Sequence, residues 1–191
     1  MASASATNLL RNEHDAILKM LEVAEEAARR INSGIAVSPE VMSGLLEFFR
    51  LFADRCHHGK EEDSLFPLLE RRGIPREGGP VGVMLHEHDL GRGLIRTMAE
   101  ASEGVNSGRS ESASQWARAA ADYAALLRAH IDKENNILFV MAERLLSESE
   151  HASLLDTFEK IENERMGAGT HERLHGLMEK LYGDIFPESN K

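Results

Sequence analysis

The sequence predicts an all-α fold: an up-down-up-down four-helix bundle with a C-terminal helical extension. Three observations lead there. Aromatic residues make up only 5% of the chain, whereas Ala, Leu, Glu, Arg and Met are abundant, and these side chains lose little rotamer freedom on a helical backbone. Apolar residues recur at three- and four-residue spacing through four long stretches, with no alternating run of the kind a half-buried strand requires. Short segments rich in Gly, Ser, Asn and Pro separate the stretches, and short connections between long helices set neighbours antiparallel.

The first helix runs from Thr7 to about Asn32, with Leu10, Ile17, Leu21 and Ala24 on one stripe. Asn32-Ser33-Gly34 ends it, Gly34 suiting the left-handed cap position. Ser38-Pro39-Glu40 opens the second helix: Ser as N-cap, Pro at the first helical position, and an acid beside the positive end of the helix dipole. This helix continues through Phe48, Phe49, Phe52, His57 and Glu61 towards Glu70, with Pro67 kinking or tightening its last turn. A loop of breakers from Arg72 to Pro80 leads to a third helix, roughly Val81 to Val105, closed by Asn106-Ser107-Gly108. Ser110 or Ser112 caps a fourth, which carries Trp116, Tyr123, Leu127, His130, Ile137 and Met141. Ser147 with Glu150 forms a capping box for a shorter fifth helix, roughly His151 to Arg165. Gly167-Ala168-Gly169 interrupts the pattern, and Thr170 caps a last helix to about Tyr182. Residues 7–146 are expected to form the bundle, and residues 147–191 to pack on the same domain.

Composition narrows the classes of function. The 191 residues suffice to bury a core without disulfides, and 42% hydrophobic with 28% charged residues is ordinary for a globular chain. The formal net charge is −10 and the cations are scattered singly, so the basic stripe of a nucleic-acid-binding protein is missing. No apolar run approaches the roughly 20 residues of a membrane span. Met1 to Ala6 lacks the basic and apolar regions of a secretory signal, and the single Cys56 rules out an internal disulfide. A cytoplasmic location is expected, with no nucleic-acid or membrane partner. Nine His against one Trp and two Tyr is the one unusual proportion.

The positions of those histidines are informative. His57 and Glu61 are four residues apart, as are His130 and Glu134, a spacing that stacks both side chains on one helical face. On a surface this makes a routine ion pair. Here the faces are apolar: His130 lies with Tyr123, Leu126, Leu127, Ile137 and Met141, and His57 with Leu46, Ala53, Leu65 and Leu68. Glu61 and Glu134 are therefore expected to be buried, where an unpaired carboxylate is costly and a bound cation is the simplest compensation. His14 joins the stripe Leu10, Ile17, Leu18 and Leu21, and His88 the stripe Val81, Met84, Leu85 and Ile95. One inward His on each of four bundle helices, with two Glu, matches the way di-metal sites are built in bundles. Mixed imidazole and carboxylate ligands suit iron, manganese or zinc, and the absence of Cys ligands argues against structural zinc.

Glu13-His14-Asp15, His57-His58-Gly59-Lys60-Glu61-Glu62 with Leu65-Phe66-Pro67, Glu87-His88-Asp89, and His130-Ile131-Asp132-Lys133-Glu134-Asn135 with Leu138-Phe139 together resemble the hemerythrin-like (HHE cation-binding) domains. The resemblance covers roughly Leu9 to Leu146 and implies two non-haem iron ions in a four-helix bundle, bridged by carboxylates. On that reading His14, His57, His88 and His130 are terminal ligands and Glu61 and Glu134 bridge. His58 and Glu62 share the ligand spacing, but alignment on Lys-Glu-Glu selects His57 and Glu61. His58 then falls on the neighbouring flank, and His58 and Glu62 are lower-ranked candidates. Two departures from the oxygen-carrying hemerythrins stand out. Those carry His-x-x-x-His on the third helix, where the positions one turn either side of His88 are Met84 and Arg92. They also carry Asp five residues after the fourth-helix His, where this chain has Asn135 and places the acid at Glu134. The pattern is closer to the iron-sensing, nitric-oxide-responsive and iron–sulfur-repair relatives, and implies an iron with open positions.

His86 and Tyr123 are further lower-ranked ligand candidates. His86, two residues from His88, points away by about 200° on an ideal helix, and a hydrogen-bonded core tyrosine is the ordinary alternative for Tyr123. His171-Glu172-Arg173-Leu174-His175 matches the zinc-protease pattern H-E-x-x-H. No sheet precedes it and no Gly-x-x-His completes the extended motif, since position 178 is Met, so protease chemistry is not expected. His171 and His175, which could cover the bundle's mouth, are retained as lower-ranked candidates for reaching or supporting the metal, and His151 is expected at the surface. Two function classes follow. One is a di-iron protein that binds, senses or processes oxygen, peroxide or nitric oxide, including peroxide disproportionation if it is an enzyme. The other is an iron storage, delivery or redox-sensing module without turnover. The protein partner is not specified by any motif.

Overall fold

A computed structural model of the chain describes residues 5–167 and 169–187, so residues 1–4, Ala168 within the expected Gly-Ala-Gly break, and residues 188–191 of the C-terminal extension lie outside the described residues. The described residues form six helices and no strand. Helix α1 is Ala6–Asn32, α2 spans 39–71, α3 is Pro80–Asn106, α4 spans 112–145, α5 is Glu148–Met166 and α6 is Thr170–Ile185. The first four close a ring: α3 packs along α4, α4 along α1, and α2 against both α3 and α1. None of these helices is long and apolar enough to cross a membrane.

The termini follow local chemistry. Ser5 and Ser38 accept the Asn8 and Val41 amides at 3.2 and 3.3 Å, and Pro39 occupies the first turn of α2. At the end of α1, Gly34 takes φ 77° and Ile35 N–H returns to the Arg30 carbonyl at 2.9 Å, a closure for which a residue lacking Cβ is best suited. The Ser147–Glu150 capping box is present. Two expected caps are not: Glu111 precedes α4 and Gly169 precedes α6, and neither offers a side-chain cap. Thr170 is instead the first helical residue, its Oγ1 donating back to the Met166 carbonyl at 2.6 Å.

Helices α2 and α4 are not uniform. Within α2, residues Phe49–His58 and Glu61–Leu65 form wide π-type turns, and α4 has one at Glu134–Leu138. The signature bonds run five residues back, from Phe66 N–H to the Glu61 carbonyl and from Phe139 N–H to the Glu134 carbonyl. Each wide turn inserts a residue relative to the α-helical period. Pro67, which lacks an N–H, lies two residues after the second wide turn. In α4 the insertion rotates the following residues, so Leu138 is buried and Ile137, expected in the core, is 53% exposed.

The apolar interior falls into two parts. The larger gathers Ile17, Met20, Leu21, Phe49, Met98, Trp116 and Tyr123 with Leu174, Leu181 and Ile185 of α6. The smaller gathers Leu10, Leu65, Phe66, Val81, Leu138 and Phe139 with Leu154 and Phe158 of α5. His14, His57, Glu61, His88, His130 and Glu134 lie in sequence between members of the two, forming a buried polar layer across the bundle. His151, expected at the surface, is 8% exposed because α5 turns its face onto the smaller core.

Helix α6 contributes to the larger core directly. Leu181 is buried, and a Cβ at Gly44 would lie 2.8 Å from its Cδ2. Leu181→Ala is therefore expected to destabilise the whole bundle by about 2–5 kcal/mol. The check is the midpoint of denaturant unfolding followed by Trp116 fluorescence; an unchanged midpoint would mean that α6 folds apart from the bundle.

Candidate metal centre

Two sets of four buried side chains meet at the middle of the bundle: His58, Glu61, His88 and His130, and His14, His57, Glu61 and Glu134. Within each set the candidate ligand atoms all lie within 4.8 Å of one another, and Glu61 belongs to both. Its Oε1 is 3.6 Å from His57 Nε2 and its Oε2 is 3.5 Å from His88 Nε2. Glu134 Oε2 sits 3.2 Å from His14 Nε2 and 3.3 Å from His130 Nε2. His88 Nε2 and His130 Nε2 are 3.1 Å apart. Five imidazoles and two carboxylates thus converge from all four bundle helices.

Every one of the five histidines is held from behind. His57 Nδ1 donates to Glu13 Oε2 (2.8 Å), His88 Nδ1 to Glu62 Oε1 (2.7 Å), and His130 Nδ1 to Glu87 Oε2 (2.9 Å). His58 Nδ1 reaches Asp54 Oδ1 at 3.4 Å, and His14 Nδ1 reaches Asn135 Oδ1 at 2.9 Å. An ionised carboxylate or an amide oxygen can only accept, so Nδ1 of each ring is the donor and Nε2 is the atom turned to the centre, with one Nε2 proton shared between His88 and His130. Cations back the carboxylates in turn: Lys60 on Glu13, Lys133 on Glu87, and Arg92 on both Glu62 and Asp54.

The inward atoms meet too few partners of the protein itself. His14, His57 and His58 Nε2 and all four carboxylate oxygens of Glu61 and Glu134 are buried without a hydrogen bond. Buried polar atoms in native proteins are nearly always satisfied, and an orphaned cluster needs a specific explanation. The electrostatics agree. Burial and the neighbouring Glu134 push Glu61 well above the usual carboxylate range. Glu134 also feels burial, but the His130 and His14 imidazoles hold it well below that range. Two carboxyls in one dry centre cannot both ionise without added positive charge. Burial drives His57 down to about 4, and lowers His58 and His88. At His130 burial is outweighed by Glu134 and Glu87, which raise it to about 9. Bound cations would relieve these conflicts, and mixed imidazole and carboxylate donors suit iron among other transition metals.

Six of the expected residues, His14, His57, Glu61, His88, His130 and Glu134, are brought together. His58 joins them, although alignment sets it on the flank. Successive residues on an α-helix diverge by roughly 100°, but the wide turns of Phe49–His58 let both neighbours face inward, and His58 stacks on His88 with ring centroids 3.8 Å apart. Glu62 does not enter the clusters; it supports His88 from outside. His86 is exposed. Tyr123 is fully buried against Phe49 (centroids 4.7 Å apart), outside both clusters, and its hydroxyl has no hydrogen-bonding partner. Burial pushes its phenol well up, keeping it neutral. His171 and His175 lie on α6 beside Phe52, with the larger apolar core and apart from both clusters. Sequence reasoning also missed the outer supports Glu13, Glu87 and Asp54, of which Glu13 and Glu87 each directly precede a ligand candidate.

A third grouping, Glu13, Cys56 and Glu162, is already filled by the Lys60 ammonium, which pairs with Glu13 and with Glu162 (2.9 Å) while fully buried. Cys56 beside it is buried, and burial raises its thiol to about 12. At pH 8 the thiolate fraction is then about one in ten thousand. Native protein is expected to resist iodoacetamide for hours and to react at once when unfolded. Mass spectrometry would show this, and rapid native labelling would contradict the buried Lys60 cluster.

The comparisons with known proteins agree with the site. The model of the hemerythrin HHE cation-binding domain matches residues 5–142. An uncharacterized protein of Mycobacterium tuberculosis is 23% identical over 158 residues, covering 83% of this chain and 61% of that protein. The iron–sulfur cluster repair protein YtfE of Escherichia coli is 28% identical over 134 residues, covering 68% of this chain and 60% of the relative. The chain therefore spans about three fifths of the length of these curated relatives. No solved structure matches it with significance. The ordered motifs, the buried His and Glu clusters and the family match over most of the chain establish that it belongs to the hemerythrin HHE cation-binding domain family.

Proposed function

We propose that the chain is a non-haem di-iron protein that binds, senses or processes oxygen, peroxide or nitric oxide. The observation that carries this reading is the pair of orphaned, buried ligand clusters joined through Glu61. His14 and His57 would hold one ion and His58, His88 and His130 the other, with Glu61 and Glu134 between them. The ions, when bound, supply redox chemistry and coordination positions for a small ligand. The protein's own part is to aim the imidazoles, through Glu13, Asp54, Glu62, Glu87 and Asn135, and to exclude bulk water with the two apolar cores. On this reading a small ligand would bind on the His14/His57 side, which offers two imidazoles against three on the other.

A second reading, iron delivery or sensing without turnover, draws support from the similarity to a protein named for iron–sulfur cluster repair. Protein loaded anaerobically with ferrous iron and then oxidised in air separates the two. Two irons per chain and a ligand-to-iron charge-transfer absorption, lost in Glu134→Ala, are expected in either case. Sustained peroxide consumption favours the enzyme; transfer of iron to an apo-acceptor without consumption favours delivery. A colourless chain that retains only zinc would overturn both.

A further inference from the structure

A cavity of about 470 Å³ opens beside the His58 and His88 flank of the centre, lined by Arg50, Leu51, Asp54, Arg55, Gly59, Glu62, Arg92 and Arg165. Four guanidinium groups on one small surface are unexpected in a chain of formal net charge −10. Three helices supply them: α2 gives Arg50 and Arg55, α3 gives Arg92 and α5 gives Arg165. Arg92 is engaged, donating from Nε to Asp54 Oδ1 and from Nη2 to Glu62 Oε1, each at 2.8 Å. Arg165 donates to the Arg55 carbonyl at 3.3 Å and pairs with Asp63. Among the described residues Arg50 and Arg55 have no ion-pair partner, and both are exposed.

The local backbone is shaped to admit this arrangement. A Cβ on Gly59 would meet Arg165 Nη1, the movable end of that side chain, so the glycine between His58 and Lys60 gives the α5 guanidinium room to approach α2 closely. The acids that line the cavity, Asp54 and Glu62, already serve His58, His88 and Arg92, which leaves the positive charge of Arg50 and Arg55 uncompensated. Guanidinium groups match oxyanions through paired N–H donors, and a local positive patch on an acidic protein concentrates anions where the rest of the surface repels them. The volume lies in the range of small-molecule sites.

We propose that the cavity formed by Arg50, Arg55, Arg92 and Arg165 binds a small dianionic molecule through its phosphoryl or carboxylate oxygens. The site does not depend on the identity of the metal, though it shares Asp54, Glu62 and Arg92 with the supports of His58 and His88. Calorimetric titration of the metal-loaded full chain with inorganic phosphate, and separately with succinate, at ionic strength fixed with sodium chloride tests it. Saturable binding of one probe, weakened at least tenfold in Arg50→Glu/Arg55→Glu with metal content and Tm unchanged, is the expected result. The probe that binds tells phosphoryl from carboxylate chemistry. Two results would overturn the site: no saturable binding of either probe, or binding undiminished in the double variant, which would place the anion on the metal. Metal content is measured on the same samples, so a failure of the di-iron reading is seen separately from a failure of this site.

Discussion

Stripping the metal from the folded protein is expected to lower its Tm by about 8–16 °C at neutral pH. A ligand that binds only the native state at a thousand times its Kd stabilises by about 4 kcal/mol, and a chain of this size shifts by about 2–4 °C per kcal/mol. The metal-free centre also acquires a pH dependence whose sign is fixed by its own residues. His130 is raised to about 9, so its contribution is fully present below an unfolded value near 6.5 and is lost as pH rises through about 9. Glu61, raised by burial and by Glu134, likewise favours the folded state only while protonated. His130 makes the metal-free protein lose on the order of 3 kcal/mol between pH 6.5 and 9, and Glu61 adds a loss of the same sign that sets in above the ordinary carboxylate range. The bound metal displaces those protons, so the loaded protein should be nearly flat over the same range and metal uptake should release protons. Paired thermal melts of loaded and chelator-stripped protein across that pH range check both statements. Superimposable curves would mean that the cluster does not hold a cation.

Most of this centre was legible in the sequence because it follows helical periodicity. His14 lies on the Leu10–Ile17 stripe and His88 on the Met84–Ile95 stripe, so the apolar neighbours alone predict that both point inward. The two Glu-bearing helices also share a local pattern, His-x-x-x-Glu-x-x-x-Leu-Phe, at His57–Phe66 and His130–Phe139. The same pattern gives the same structure twice: Glu61 and Glu134 each begin a wide turn, and the Phe that closes it packs by a histidine. Phe66 lies over His88 with centroids 5.9 Å apart, and Phe139 over His14 at 5.4 Å.

What the period could not show is where the period changes. A wide turn has no compositional signal of its own, since its residues are ordinary helix formers and only the hydrogen-bond partner differs. Ile137 and Leu138 exchange places for that reason, and His58 moves from the flank into the centre. The outer supports were hidden differently. Glu13 and Glu87 read as polar residues beside apolar stripes, and only the packing of α1 on α2 and of α3 on α4 turns them towards His57 and His130. His151 is a third case: α5 shows little amphipathic contrast, so nothing in its own sequence fixes which face docks.

His58 therefore provides the sharpest test of the centre, because it is the ligand candidate that alignment passes over. His58→Ala removes one imidazole from the set it shares with His88 and His130, leaving Glu61 and the His14/His57 side intact. The expected result is a fall from two irons per chain to about one, with the fold retained. Glu61→Ala removes the residue common to both sets, and should leave less than about half an iron. Glu61 is buried, so loss of the fold must be separated from loss of the ligand. Glu61→Gln serves that purpose: it keeps the volume and removes the burden of a buried ionisable group, so its metal-free form should be at least as stable as wild type while metal remains weakly bound. Removal of one ligand or support of a metal commonly costs 10–100-fold in affinity, within reach of equilibrium dialysis followed by metal analysis. A His58→Ala chain that still holds two irons with wild-type affinity would return His58 to a packing role and leave the His88/His130 side with an open position. The contrast between His58 and Glu61 separates a centre of two ions, linked through one carboxylate, from a single ion in a crowded polar layer. In the single-ion case the two alanine variants would differ in affinity, and neither would lower a stoichiometry that began at one.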